Sequence, residues 1–175
     1  WVNTVTTVTL ALALALAFER PERGVMSHAP RPVDEPIVTA TLARRILFVT
    51  LLMMAATFGV FNWELARGAS LETARTAAVN MIVVCELVYL FNVRRYTDHA
   101  FTWETLTGNR VALAVVGILV GLQLLFTYAA PMQQLFRSAA LDLSSWTVIL
   151  GLGAAVFLAV EIEKAVLRHF RVARL

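Results

Sequence analysis

The sequence has few charged residues and a single cysteine. Charged side chains make up 15% of its 175 residues, whereas hydrophobic residues make up 59%, and both values lie far from those of soluble domains. One cysteine, Cys85, cannot form a disulfide within the chain or a metal site built from several cysteines. We therefore expect Cys85 to be a packing residue in a membrane protein.

The chain also lacks the short motifs of soluble enzymes. It contains no GxxxxGK[ST] loop, no GxGxxG loop and no GxSxG turn, so neither a phosphate-binding glycine loop nor a serine nucleophile is indicated. The three histidines, His28, His99 and His169, show no HxxxH or HExxH spacing, and we expect them to be solvated surface residues. By itself, the sequence contains no soluble catalytic domain.

Long hydrophobic runs dominate what is present. The first run contains TLALALALAF, in which both alternating residue types are apolar, so the pattern predicts a membrane helix of strong helix formers and not a half-buried strand. Four more runs predict helices, and the five together cover about 1–18, 46–65, 76–93, 111–130 and 146–166. The expected fold class is all-α, a multi-pass transmembrane bundle of five helices forming one domain over residues 1–175.

Basic residues are distributed unevenly between the two sides of such a bundle. With the N-terminus outside, residues 19–45 and 94–110 form cytoplasmic loops and the C-terminus is cytoplasmic, as the positive-inside rule favours. Twelve of the fifteen basic residues then face the cytoplasm, and Arg67, Arg75 and Arg137 lie outside. Because this charge is divided among several segments, we expect the arginines to contact anionic lipid headgroups and not nucleic acid.

Polar side chains inside the hydrophobic runs are the candidate functional residues. Asn3, Thr6 and Thr7 have the i, i+3, i+4 spacing that places them on one helical face, although interhelical hydrogen bonding explains such residues equally well. Glu86 is the sharper signal, because a carboxylate inside a membrane helix costs about 2.5 to 3.5 kcal/mol on insertion scales. Two interpretations of Glu86 stay open at this point: an ion or proton pathway, or a buried, protonated structural residue.

Other polar residues in or near the runs have simpler interpretations. Asn80 and Asn92 lie on another face of the helix that carries Glu86, and we expect them to form interhelical hydrogen bonds. Glu161, Glu163 and Lys164 lie at the end of the last helix, and we expect their long side chains to reach the membrane interface by snorkelling.

Several segments resemble one known family. WVNTVT, a run ending in Phe18-Glu19, and then ERPERGVMSHAPRPVDEPI resemble the sixth transmembrane helix and following loop of P-type cation-transporting ATPases. CELVYLFN resembles the eighth helix of the family. NRVALAVVGILVGLQLLFTYAAPMQQLFRSAALDLSSW, followed by EIEK, resembles the ninth and tenth helices with the intervening ALDLxxW. The resemblance covers essentially the whole chain, in order.

The resemblance implies the C-terminal membrane part, helices six to ten, of a calcium-pump-like cation pump. It implies that ATP and Mg²⁺ serve the complete pump and that this chain holds no cofactor of its own. The implied partners are the lipid bilayer, the transported cation, and the N-terminal part of the pump with helices one to five and the cytoplasmic domains. Because the D-K-T-G phosphorylation segment is not in this sequence, we expect the chain alone to hydrolyse no ATP.

Individual site residues also follow from the resemblance. Asn3 and Thr6 stand where the family offers oxygen ligands to the cation, and Glu86 stands where some calcium pumps supply a carboxylate. Thr7 stands where the family usually has an acidic residue, so it is a weaker candidate, and the identity of the cation stays open. Oxygen ligands suit hard cations such as Ca²⁺. The alternative is an autonomous five-helix membrane protein, channel-like or an accessory subunit, without ATPase activity.

Overall fold

A computed structural model describes Trp1, Val2, Val5 and residues 38–94 and 110–172. Apart from the three residues at the start, these ranges contain five helices: α1 Ala40–Ala66, α2 Leu71–Arg94, α3 Arg110–Tyr128, α4 Ala130–Phe136 and α5 Leu143–Val172. The described part of the chain is therefore all-α, as predicted. Most of the helix predicted over 1–18 and of the loop predicted over 19–45 lies outside the described residues.

Capping residues set the starts of α1 and α2. α1 begins at Ala40, so the last residues of the segment expected as a loop are already helical. The side chain of Thr39 caps this helix by accepting a hydrogen bond from the N–H of Leu42 at 3.2 Å. Likewise, Ser70 is the residue before α2 begins, and its hydroxyl oxygen accepts a hydrogen bond from the N–H of Thr73 at 3.1 Å. Hydrophobicity locates a membrane span, whereas these caps locate the helix ends beyond it.

The helices have the dimensions of membrane spans. α1, α2 and α5 are each long and apolar enough to cross a bilayer, and α3 with α4 passes the same test as a pair bent by 76°. The helix predicted over 111–130 is thus broken at Ala129, and Pro131 lies in the first turn of α4, where its missing N–H leaves no hydrogen bond unmade. The described residues contain three candidate spans, or four if the bent pair is one span.

One hydrophobic core lies between α1, α2 and α5. Its fully buried members include Val60, Met81, Cys85 and Ile149. The predicted packing role of Cys85 is therefore confirmed. On the outward faces, several large hydrophobic side chains are more than half exposed, including Leu47, Phe58, Leu150 and Leu158. Such an apolar exterior is what a bundle needs when lipid is its solvent.

α2 and α5 approach each other closely at a glycine. A Cβ atom placed on Gly153 would lie 2.5 Å from Cγ1 of Val84, whereas one placed on Gly151 would meet no atom of the described residues within 4 Å. Small residues at helix interfaces allow this close approach in membrane proteins. Gly153 therefore sets the distance between α5 and the helix that carries Glu86.

Candidate functional site

Glu86 is the predicted site residue that the structure describes. It lies in the second half of α2, with its side chain half-buried. Asn3, Thr6 and Thr7 lie outside the described residues. Among the residues that are described, no three His, Cys, Asp or Glu side chains gather into a group that could hold a metal ion. A cation site at Glu86 therefore needs oxygen ligands from other residue types or other segments.

A network of buried polar side chains joins α2 to α3. The Asn80 amide nitrogen donates hydrogen bonds to Oγ1 of Thr127 at 3.1 Å and to the backbone oxygen of Thr76 at 2.9 Å. Its Oδ1 accepts one from Nε2 of Gln123 at 3.1 Å. Asn80 and Thr127 are fully buried and Gln123 is nearly so. Because its donors and its acceptor are used, Asn80 forms the expected interhelical contact, and that expectation is confirmed.

The same network reaches the start of the chain. The indole Nε1–H of Trp1 donates a hydrogen bond to Oε1 of Gln123 at 3.0 Å, so Gln123 bridges Trp1 and Asn80. The Trp1 ring stacks on Phe126 with a centroid distance of 5.2 Å and meets Phe136 edge-on at 5.3 Å. These contacts fix Trp1, which lies two positions before Asn3 in the sequence, against α3 and α4.

A cleft of about 680 Å³ opens beside Trp1. Its walls come from α1, α2, α3 and α4 and include the rings of Phe58, Phe61 and Phe126. Among the described residues that line it, the charged ones are Arg75 and Arg137, and none is a carboxylate. These described walls, mainly apolar with two arginines, offer no carboxylate ligand to a hard cation.

A charged cluster that the sequence did not predict joins the α1–α2 turn to the start of α5. Arg67 donates from Nε to Oε2 of Glu64 at 2.6 Å, and from Nη1 and Nη2 to the carboxylate of Asp142 at 2.9 and 3.1 Å. Its guanidinium also lies 4.7 Å from the ring centre of Trp63. Glu64 is fully buried, and the hydroxyl of Ser145 donates a hydrogen bond to it. Arg67 thereby connects the end of α1 to the start of α5.

The hydrogen bonds of this cluster fix its charges. The Arg67 guanidinium, followed by the backbone N–H and the hydroxyl of Ser145, holds the pKa of the Asp142 carboxyl far below its usual range. The bonds to Asp142 and Glu64 in turn raise the pKa of Arg67. Both groups therefore stay ionised around neutral pH. Asp142 belongs to ALDLSSW, a segment that carries part of the family resemblance, so this motif was the available sequence signal for the cluster.

A second charged cluster lies where α2 ends and α5 approaches its own end. Nζ of Lys164 donates hydrogen bonds to the backbone oxygen of Asn92 and to Oε1 of Glu161, both at 2.7 Å. Nearby, Nε of Arg45 lies 3.8 Å from Oε2 of Glu163. Lys164 is only 3% exposed, so the expectation that it snorkels to the interface is wrong. The carbonyls of the last helical turn lack partners within the helix, and Lys164 turns inward to satisfy one of them.

The described contacts give Asn92 a role that differs in detail from the expected one. Asn92 does link α2 to α5, but it does so through its backbone oxygen, which accepts the hydrogen bond from Lys164. Its side-chain amide is buried and makes no hydrogen bond to any described residue. The interhelical function expected of Asn92 is therefore present, whereas the expected amide contact is not seen in this part of the chain.

Comparison with known proteins identifies a family. Residues 1–166 match the family described as "Cation transporting ATPase, C-terminus". "Probable cation-transporting ATPase F" of Mycobacterium tuberculosis is 36% identical over 163 residues, which are 93% of this chain and 18% of that protein. "Cation-transporting ATPase pma1" of Synechocystis is 30% identical over 155 residues, 86% of this chain and 17% of that protein. "Calcium-transporting ATPase type 2C member 2" of Mus musculus is 27% identical over 165 residues, 94% of this chain and 17% of that protein.

These matches agree with the membrane architecture. The chain spans 17 to 18% of the length of these relatives. The described helices are apolar and long enough for a multi-pass integral membrane protein. On the evidence of the match over residues 1–166, the chain belongs to the family formed by the C-terminal region of cation-transporting ATPases.

Proposed function

We propose that the chain is the membrane transport part of an ATP-driven cation pump and that it supplies part of the cation-binding site. The observation that carries this proposal is Glu86, a half-buried carboxylate within a membrane-length helix of a chain from this family. A carboxylate at such a position is costly in a bilayer, and intramembrane carboxylates typically serve ion or proton pathways. The names of the relatives, cation-transporting and calcium-transporting ATPases, support the same class of substrate.

The ligand set that we propose combines the Glu86 carboxylate with side-chain oxygens of Asn3 and Thr6, and Thr7 is an additional candidate. The family resemblance implies this set of ligands, and the neighbouring polar network offers a poor alternative at Asn80. Oδ1 of Asn80 already accepts hydrogen bonds from Gln123 and Thr127, at 3.1 and 3.4 Å. An oxygen that is occupied in this way is a poor ligand for a cation, since binding would break existing hydrogen bonds.

The remainder of the pump would supply what this chain does not contain. Helices one to five complete the membrane bundle, and cytoplasmic domains use ATP and Mg²⁺ to drive the transport cycle. The C-terminus lies in the cytoplasm in this proposal, so the end of α5 and the start of α1 lie on that side. The exposed side chain of Arg44 then faces anionic headgroups, whereas Arg45 is buried beside Glu163. The Arg67 cluster then lies on the outer side. No comparison favours the autonomous five-helix alternative.

The experiment replaces Glu86 in the full-length pump that contains this chain. Phosphorylation by ATP is measured against the concentrations of Ca²⁺, Mn²⁺, Na⁺ and K⁺ in separate titrations. For Glu86→Gln we expect the half-maximal concentration of the stimulating cation to rise at least about tenfold, the equivalent of about 1.4 kcal/mol of binding free energy. Glu72→Gln is the matched control, because Glu72 is an exposed carboxylate in the first turn of the same helix. An unchanged cation dependence in Glu86→Gln would remove Glu86 from the site.

A further inference from the structure

We propose that Gln123 is a positioning residue for the cation site, because it couples Trp1, two positions before the proposed ligand Asn3 in the sequence, to the helix that carries Glu86. This inference rests on the function proposed above. Gln123 accepts a hydrogen bond from Trp1 through Oε1 and donates one to Asn80 through Nε2, at 3.0 and 3.1 Å. Trp1 precedes Asn3 by two positions, and Asn80 lies on α2 less than two helical turns before Glu86.

The chemistry of this bridge requires an amide. Its two partners are an indole N–H, which can only donate, and the Asn80 oxygen, which can only accept. A single neutral side chain that accepts at one end and donates at the other satisfies both groups. Gln123 is 4% exposed, so water cannot easily replace either bond, and an unsatisfied buried polar group is costly.

Two neighbouring residues on one face of α3 hold Trp1. Gln123 binds the indole nitrogen, and Phe126, three residues further along α3, stacks on the indole ring. Residues at i and i+3 are neighbours on a helix surface. On the other side, Asn80 is fixed by bonds to Thr127 and to the backbone of Thr76. The bridge therefore connects two well-anchored groups, and its length sets their separation.

This arrangement assigns Gln123 an effect on cation affinity. Ligands held in fixed positions bind an ion more tightly than ligands that must be ordered first, because the ordering cost is already met. Loss of the bridge leaves every proposed ligand in the chain but loosens the attachment of Trp1 to the helix that carries Glu86. The expected consequence is weaker cation binding with an unchanged maximal level of phosphorylated enzyme.

The test uses the full-length pump with Gln123→Leu and, as matched control, Gln133→Leu. Gln133 also makes an amide hydrogen bond, from Nε2 to the backbone oxygen of Thr127 at 2.8 Å, but this bond reaches neither Trp1 nor Asn80. Phosphorylation by ATP is titrated with the same four cations, and phosphorylation by inorganic phosphate without the transported cation reports that the enzyme is folded. For Gln123→Leu we expect a rise of about fivefold in the half-maximal cation concentration, the effect of one to two interhelical hydrogen bonds in a membrane.

A second variant, Gln123→Glu, separates positioning from a merely structural role. A protonated carboxyl group accepts one hydrogen bond and donates one, as the amide does, whereas a carboxylate only accepts and loses the bond to Asn80. The half-maximal cation concentration of this variant, divided by that of the wild type at the same pH, should approach one at low pH and increase as the pH rises. The same ratio for Gln123→Leu should not change with pH. If Gln123→Leu does not fold, the pH profile of Gln123→Glu decides.

The possible failures are distinguishable. If Glu86→Gln leaves the cation dependence of the pump unchanged, the proposed site is overturned and the positioning role with it. If Glu86→Gln shifts the cation dependence while folded Gln123→Leu does not, the positioning role alone is overturned. The same holds if the ratio for Gln123→Glu shows no dependence on pH, or if Gln133→Leu shifts the cation dependence as much as Gln123→Leu.

Discussion

Adding one methyl group at the contact between α2 and α5 gives a direct test of the packing. In Gly153→Ala the new Cβ would lie 2.5 Å from Cγ1 of Val84. Val84 is β-branched, and its side chain has few alternative rotamers in a helix, so the two helices must separate. Overpacking of this kind costs about 1 to 3 kcal/mol, and the better helix propensity of alanine offsets about 1 kcal/mol of that cost. The net loss of unfolding free energy is then about 0 to 2 kcal/mol.

Gly151→Ala isolates the steric contribution. Gly151 lies on the same helix, and a Cβ atom at this position would have no described neighbour within 4 Å, so this variant gains helix propensity without a clash in the part of the chain that the structure describes. Thermal unfolding of the full-length protein in detergent should therefore give a lower midpoint for Gly153→Ala than for Gly151→Ala, by a few degrees for about 1 to 3 kcal/mol. Adding Val84→Ala to Gly153→Ala should recover part of the loss. Equal midpoints for the two glycine variants would refute the close packing of α2 on α5.

The two charged clusters give further predictions. Lys164→Met removes the donor of the hydrogen bonds to the Asn92 carbonyl and to Glu161. Because breaking a buried ion pair costs about 3 to 5 kcal/mol, the variant should unfold in detergent at a clearly lower temperature. Arg44→Met is the control, since the side chain of Arg44 is exposed and its loss should change the unfolding midpoint little. At the other cluster, the pKa of Asp142 is depressed by Arg67, so its contribution to stability is present above the ordinary carboxyl pKa and is lost as the pH falls through the depressed value. Arg67→Gln should therefore be less stable than the wild type at pH 7, and the difference in unfolding free energy between the two should shrink as the pH falls below the ordinary carboxyl pKa. A difference that stays constant over this pH range would contradict the ion pair.

Local hydrophobicity predicted the membrane helices but could not predict their tertiary partners. The runs behind α1, α2 and α5 are apolar along nearly their whole length, so their helical state follows from residues close in sequence. Arg67 and Asp142, in contrast, are far apart in the sequence and meet only because α1, α2 and α5 pack together. No spacing rule connects two such positions.

The same limit explains the misinterpretation of Lys164, and the bend at the end of the fourth predicted helix was not predicted either. A lysine near the end of an apolar run is expected at the membrane interface, but Lys164 turns inward to the Asn92 carbonyl, whose position on another helix no local pattern predicts. The break at Ala129 did have a local signal in Pro131, but the run 111–130 was interpreted by its hydrophobicity. Of the candidate site, Glu86 was identifiable from sequence because its charge interrupts an apolar run, whereas Gln123 carries no charge and becomes visible only through its contacts with Trp1 and Asn80.

The bend between α3 and α4 has a consequence for how the protein responds to its membrane. α3 alone, with 19 residues, is about 28 Å long, close to the thickness of the hydrocarbon layer. When α3 stands upright, α4 lies almost parallel to the bilayer surface because of the 76° angle, and it carries the exposed side chains of Leu135 and Phe136. A short apolar helix in this orientation fixes the depth of the span to which it is attached. A change in bilayer thickness would then act on the height of α3 and, through it, on the hydrogen bonds of Gln123.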